Sequence, residues 1–212
     1  MEQDTKSFYD RIADVHNLVL RLNGYRSSVA KFLRSMNLGI TDESMVLDAG
    51  SGTGVITLGF QSAGLRPKHL VAVDLSRKSL EVAREQFRKD QACDSANISV
   101  AQSNILGLPF ADGTFDLVLT CGVLEYVPIE PGMKELARVM KAGAKLILIP
   151  VKPSFVGSVL EILYKFRTIK PEDIIEHSKD DFDVLGYHDF PLNEPIAWSK
   201  TIIVLQKKTS RA

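Results

Sequence analysis

Short apolar runs rich in Val, Ile and Leu recur along the first two-thirds of the chain: MVLDAG from Met45, HLVAVDL from His69, NISVAQ from Asn97, FDLVLTCG from Phe115 and AKLILIP from Ala144. Segments of helical period separate them. Leu80, Ala83 and Phe87 share one face of KSLEVAREQFRKD, and Met133, Leu136, Ala137 and Met140 keep the i, i+3, i+4, i+7 spacing, with Pro131 before them and Gly143 after. Continuous apolar strands alternating with amphipathic helices are covered on both faces, which predicts an α/β chain doubly wound on a mostly parallel sheet. Near the end, FDVLGYHDF (182–190) and TIIVLQKK (201–208) are joined by PLNEPIAWS with no helix between them. They predict a hairpin that adds an antiparallel strand. Ahead of the first strand, Phe8, Ile12, Val15, Leu18, Val19 and Leu22 lie at helical spacing, interrupted near Asn23 and Gly24. The whole chain, 1–212, is expected to form one domain: a helical cap (1–40), a core (45–150), and an insertion with the terminal strand pair (151–212). Between the last two parts an apolar stretch runs from Phe155 to Phe166, followed by a helix opened by Pro171.

Composition narrows the function. Hydrophobic residues at 45% and charged residues at 25% are those of an ordinary globular protein, and 26 basic residues balance 26 acidic ones. That balance argues against a nucleic-acid partner or an anionic surface and favours a small or neutral one. Cys93 and Cys121 belong to no CxxC or Cys/His cluster, so neither a metal site nor a disulfide is expected. The N-terminal MEQDTKSFYD contains acids and no apolar run, and no window approaches the roughly 20 apolar residues of a membrane span. A cytoplasmic location is the corresponding expectation.

The chemistry is concentrated in VLDAGSGTG, residues 46–54. A glycine-rich turn between a strand and a helix lets a ligand approach the backbone beside free N–H groups and a partial positive charge. Gly50 and Gly52 match the first two glycines of the dinucleotide fingerprint GxGxxG, but the third position holds Val55, and no GK[ST] follows. Asp48, just before the loop, would repel a pyrophosphate and suits a ligand with an ammonium or sulfonium. Asp74 ends the next strand, where a carboxylate can accept both hydroxyl hydrogen bonds of a ribose. Asn104 follows the third strand and presents an amide to an adenine edge. Amino acid, ribose and adenine in that order describe S-adenosylmethionine.

The sequence resembles the class I S-adenosylmethionine-dependent methyltransferases of the small-molecule type. VLDAGSGTG, VAVDLS, QSNILGLPFADGTFDLVLTCGVLEYVP and ELARVMKAGAKLILIP stand in the family's order over about residues 45–150. The resemblance implies a Rossmann-like, doubly wound, seven-stranded mixed sheet whose last strand enters antiparallel between the fifth and sixth. It implies that Gly50, Ser51 and Gly52 pass close to the methionine part and that Asp48 lies near its ammonium, directly or through water. Asp74 would hold the ribose and Leu75 pack on adenine. Asn104 would meet the adenine amino group where the family commonly has aspartate, and Ile105 would offer a backbone N–H. Cys121 would face the methionine end, and Tyr9 in the cap would contact the cofactor. Ala142-Gly143-Ala144 replaces the family's frequent Pro-Gly-Gly, a departure affecting a turn more than the chemistry.

The expected function is transfer of a methyl group from S-adenosylmethionine, leaving S-adenosylhomocysteine, to a small-molecule acceptor by in-line SN2 displacement. The alternative is a non-catalytic S-adenosylmethionine-binding module or partner subunit. No catalytic residue is assigned. His69 reads as structural and His16 as a cap residue within reach of substrate. Tyr126 reads either as a ligand contact or as an aromatic anchor. Cys121 reads either as a small residue beside the cofactor or as a nucleophile.

Overall fold

Val46 and Leu47 lie on opposite faces of strand β1 (Met45–Ala49), and both are fully buried. Leu70 and Val71 on β2 (His69–Asp74), Leu117 and Val118 on β4 (Phe115–Cys121), Leu146 and Ile147 on β5 (Met140–Ile149), and Ile202 and Ile203 on β7 (Thr201–Lys207) are likewise buried on opposite faces. Strands apolar on both faces need a layer on each side. In the computed structural model, which describes residues 24–91, 93–155, 157–158, 161 and 166–209, the strands form one sheet. Its order is β3-β2-β1-β4-β5-β7-β6, with β3 (Ile98–Gln102) and β6 (Phe182–Asp189) at the edges. β1 to β5 pair in parallel, while β7 runs antiparallel to both β5 and β6.

Helices α1 (Tyr25–Ser35), α2 (Val55–Ser62) and α3 (Arg77–Lys89) cover one face, and α4 (Ile129–Val139) and α5 (Pro171–Ser178) cover the other. Their apolar stripes fix the orientation. Leu80, Ala83 and Phe87 are the buried apolar residues of α3, while its Arg and Lys side chains face water. Ser76 caps α3 by accepting the Ser79 N–H at 3.1 Å, and Arg88 and Lys89 lie in the last turn, complementing the helix dipole.

The sheet and the antiparallel β7 agree with the sequence-based expectation, and α5 spans the PEDIIEHS segment opened by Pro171. Two boundaries differ. α4 begins at Ile129 and takes Pro131 into its first turn, where the missing N–H would have had no helical partner. Met140, assigned by periodicity to this helix, is instead the first residue of β5, and the presumed turn Ala142-Gly143-Ala144 lies inside the strand. Phe115 pairs with Met140 and Leu117 with Lys145, so the extra residues of β5 bulge out opposite one residue of β4. Met140 is still fully buried, because the bulge turns it into the same core as α4. Of the expected N-terminal cap, α1 is described; residues 8–23 of that expectation lie outside the described residues.

Candidate functional site

The sheet order reverses beside β1, whose neighbours β2 and β4 lead away in opposite directions. In an open α/β sheet a crevice forms at that point, beyond the carboxyl ends of the strands. The glycine loop occupies it. Gly50 and Ser51 both donate backbone N–H to the Val73 carbonyl at 2.8 Å, which folds the loop back against the end of β2. A β-carbon on Gly50 would stand 2.0 Å from Val123 Cγ2, and one on Gly54 would stand 2.5 Å from the Phe87 ring. These two glycines are therefore required by packing against the β4 exit and against α3, as well as by their positive φ. Gly52 differs, because nothing lies within 4 Å of its missing side chain and it borders an open cleft.

That cleft has a volume of ≈ 150 Å³ and is bounded by Gly50, Gly52, Val73, Asp74, Leu75, Ser76, Ser79, Ser103, Asn104, Ile105, Cys121, Gly122, Val123, Tyr126 and Val127. Asp74 forms one rim. Its Oδ2 accepts the Gly52 N–H and its Oδ1 the Ser76 N–H, each at 2.8 Å, so one carboxylate ties the glycine loop to the start of α3. A carboxylate accepts about four hydrogen bonds, so this anchoring is compatible with a further diol contact. Asn104 Oδ1 accepts the Leu106 N–H at 3.0 Å, an Asx turn that shapes the loop after β3. Ile105 is buried against the cleft, and Leu75 is half-buried at its edge.

Asp48 lies beneath this surface. It is fully buried, and its Oδ2 accepts the Thr57 backbone N–H at 3.1 Å and hydroxyl at 2.6 Å, which fastens the end of β1 to α2. Its Oδ1 has no hydrogen-bond partner among the described residues. Burial pushes the carboxyl up to about 7; the Thr57 bonds oppose the shift, and the Asp74 charge adds to it. Ser51 is likewise buried under the loop, and its hydroxyl has no partner among the described residues. On the β4 side, Cys121 Sγ and the Tyr25 hydroxyl lie 3.6 Å apart. Burial raises both of their pKa values, and Lys200 opposes the rise at Cys121.

Of the residues assigned from sequence, Gly50, Gly52, Asp74, Leu75, Asn104, Ile105 and Cys121 meet around one cleft, with Asp48 and Ser51 underneath; Tyr9 and His16 lie outside the described residues. Tyr126 lines the cleft and packs edge-on against Phe166 at 5.5 Å, a residue of the segment after β5 and not of the N-terminal cap. His69 sits at the amino end of β2, bonded to Ser99 Oγ at 2.7 Å, at the opposite end of the strand from Asp74. Sequence reasoning missed Val123, Val127, Ser79 and the polar groups behind Cys121, namely Tyr25, Glu125 and Lys200. For Val123 a signal existed, since a loop of glycines at this density implies something packed against it.

Comparison with known proteins relates the same part of the chain to one family. A family model described as a methyltransferase domain covers residues 47–148, which runs from the glycine loop through β5. The demethylmenaquinone methyltransferase of Thermobifida fusca is 29% identical over 160 residues, covering 71% of this chain and 64% of that protein. The ubiquinone/menaquinone biosynthesis C-methyltransferase UbiE of Haemophilus ducreyi is 32% identical over 130 residues, or 60% of this chain and 49% of that one. This chain belongs to the class I S-adenosylmethionine-dependent methyltransferases. It spans between about half and two-thirds of the length of these curated relatives. The fold likeness extends to geranyl diphosphate C-methyltransferase from Streptomyces coelicolor, solved with Mg2+, geranyl diphosphate and S-adenosylhomocysteine. The TM-score is 0.68 at 17% identity, over 85% of this chain and 80% of that one.

Three observations on this chain fit the cofactor of that family. The loop offers an open backbone edge at Gly52, Asp74 stands at the cleft rim two strands' width from Cys121, and a buried carboxylate oxygen of Asp48 is unpartnered among the described residues. The volume bounded by the described residues is below the roughly 300 Å³ of a typical small-molecule pocket, so a nucleoside with an amino-acid tail would extend beyond these walls.

Proposed function

We propose that this protein transfers a methyl group from S-adenosylmethionine to a small-molecule acceptor, and that the acceptor atom is a carbon of a quinol-like ring. The single observation carrying the first part is Asp74, whose carboxylate is locked at the cleft rim between the glycine loop and α3. The second part follows the relatives, which are demethylmenaquinone and ubiquinone/menaquinone C-methyltransferases. Val123 and Val127, beyond the end of β4, offer apolar walls to such a ring, while Leu75 and Ile105 are left to the adenine.

When bound, S-adenosylmethionine supplies a methyl already activated by a positively charged sulfur, for in-line SN2 displacement. The chain's part is then positioning and exclusion of water. Asp74 accepts the ribose hydroxyls, Gly52 lets backbone approach the amino-acid portion, and the apolar side chains hold the adenine. Asp48 fixes the loop from below through Thr57. A small organic acceptor, rather than nucleic acid, is consistent with the absence of excess positive charge.

Thermal unfolding with S-adenosylhomocysteine, S-adenosylmethionine or NAD tests this. At about 100 times its dissociation constant a ligand adds roughly 2.7 kcal/mol, which for a chain of this size raises the midpoint by about 5–10 °C. The two sulfur nucleosides are expected to produce that shift and NAD none, and Asp74→Ala is expected to remove most of it. Stabilisation by NAD alone would replace the methyltransferase reading with a dinucleotide one. Binding with no turnover of naphthoquinol acceptors would favour a non-catalytic module.

A further inference from the structure

Lys200 immediately precedes β7, at the same end of the sheet as the cleft. Its backbone N–H bonds to the Ile196 carbonyl at 3.0 Å and it bridges Val151, so the residue is fixed at both ends of the turn that leads into β7. Only 8% of it is exposed. Its Nζ lies 2.9 Å from the position that a β-carbon on Gly122 would take, and Gly122 is part of the cleft wall. The ammonium therefore stands behind the wall of the cleft at Gly122, within electrostatic reach of Cys121.

The other partially buried cations are met by carboxylates or by backbone carbonyls, Lys145 by that of Asn37 and Lys207 by that of Met140. Arg26 pairs with Asp90, Arg138 with Glu135 and Asp112, and Lys152 with Asp189. Lys200 forms no ion pair among the described residues. Glu125, the nearby buried acid, instead directs Oε1 to the Val151 N–H at 2.6 Å. An ammonium held beside a cleft with no carboxylate of its own is stabilised when a ligand supplies the anion.

We propose that Lys200 forms an anion subsite for the methyl acceptor, binding the ionised oxygen of a phenol or enol seated against Gly122. This deepens the methyl-transfer reading and rests on it. The acceptor's hydroxyl proton passes to water, and the oxygen's charge, held by the ammonium, is shared with the adjacent ring carbon. That carbon forms the new bond to the methyl as the methyl–sulfur bond of S-adenosylmethionine breaks, which leaves neutral S-adenosylhomocysteine, and it then loses its own proton to water while the oxygen regains one, restoring the phenol or enol. The subsite selects against amine acceptors, whose cationic forms would meet a like charge.

The test uses S-adenosylhomocysteine and 4-nitrophenol, whose ionised form absorbs visible light, with 4-nitroanisole as the analogue that cannot ionise. The wild-type protein loaded with S-adenosylhomocysteine is expected to lower the apparent pKa of bound 4-nitrophenol by about one unit or more and to bind 4-nitroanisole more weakly. Lys200→Met is expected to lose that shift while binding S-adenosylhomocysteine within about twofold of wild type, and Lys200→Arg to retain part of it. Equal ionisation by wild type and Lys200→Met, or no binding of 4-nitrophenol, overturns the subsite. A loss of about tenfold or more in S-adenosylhomocysteine affinity in Lys200→Met also overturns it, reassigning the ammonium to the cofactor's carboxylate. Failure of wild type to bind S-adenosylhomocysteine removes the methyl-transfer reading itself, and the subsite with it.

Discussion

Asp48 shows how one residue links the glycine loop to pH. Its folded-state carboxyl titrates at about 7 against an ordinary value of 3.8, chiefly because it is buried. A raised folded value means that the neutral form is the one the fold favours. The contribution is fully present below pH 3.8 and is lost as pH rises through about 7, with an upper bound of about 4 kcal/mol. Asp48→Asn keeps an amide oxygen for the Thr57 bonds and carries no charge at any pH. The variant's stability relative to wild type is therefore expected to increase steadily from pH 4 to pH 8, measured by urea unfolding of the apoprotein across that range. Parallel curves for the two proteins would show that the carboxyl is ionised throughout at little cost. In the sequence this acid was visible as a candidate, but its partner was not, because Thr57 lies across the loop on α2 and only folding brings its N–H and hydroxyl to Oδ2.

At the scale of elements, the loop between β3 and β4 forms one side of the cleft and has no regular structure of its own. Arg138, near the end of α4, holds it. The guanidinium donates to the carbonyls of Leu108 at 2.9 Å and Phe110 at 2.8 Å and to Asp112 at 2.7 Å, while pairing with Glu135, which in turn accepts the Leu108 N–H at 2.6 Å. A planar fork serves several acceptors at once, and a lysine cannot. Both Arg138→Met and Arg138→Lys are expected to unfold at lower denaturant concentration than wild type and to weaken S-adenosylhomocysteine binding in calorimetry, since the loop carrying Asn104 and Ile105 loosens. Undiminished affinity in a destabilised variant would mean that the loop is shaped by its Asx turn alone. The strands, the glycine loop and Asp74 were legible in the sequence because each is written in a few neighbouring residues. Arg138 and Lys200 were not, since their roles depend on atoms tens of residues away. The β5 bulge escaped for a related reason: helical spacing continues through Met140, and only pairing with Phe115 decides where the helix stops.

Across the whole molecule, stability and ligand chemistry occupy different parts of the same strands. The paired apolar layers bury the middle of β1, β4, β5 and β7 on both faces, whereas β6 pairs on one side only and leaves Val184, Leu185 and Tyr187 largely exposed. Amide exchange is governed by such differences, because a backbone bond opens most readily where little apolar surface must be exposed with it. Exchange is expected to be slowest in β1, β4, β5 and β7 and fastest in β6. The cleft draws only on carboxyl ends: the loop after β1, Asp74 after β2, Asn104 after β3 and Cys121 at the end of β4. A ligand bound there orders those ends without adding contacts at the amino ends. Exchange measured by mass spectrometry with S-adenosylhomocysteine is therefore expected to slow at 50–54, 74–76, 103–105 and 121–123. Residues 45–47 and 69–71, at the other ends of β1 and β2, should be unchanged, as should β6. Protection spread evenly along whole strands would indicate global stabilisation from some other site, and protection concentrated at β6 would move the ligand to the open edge of the sheet.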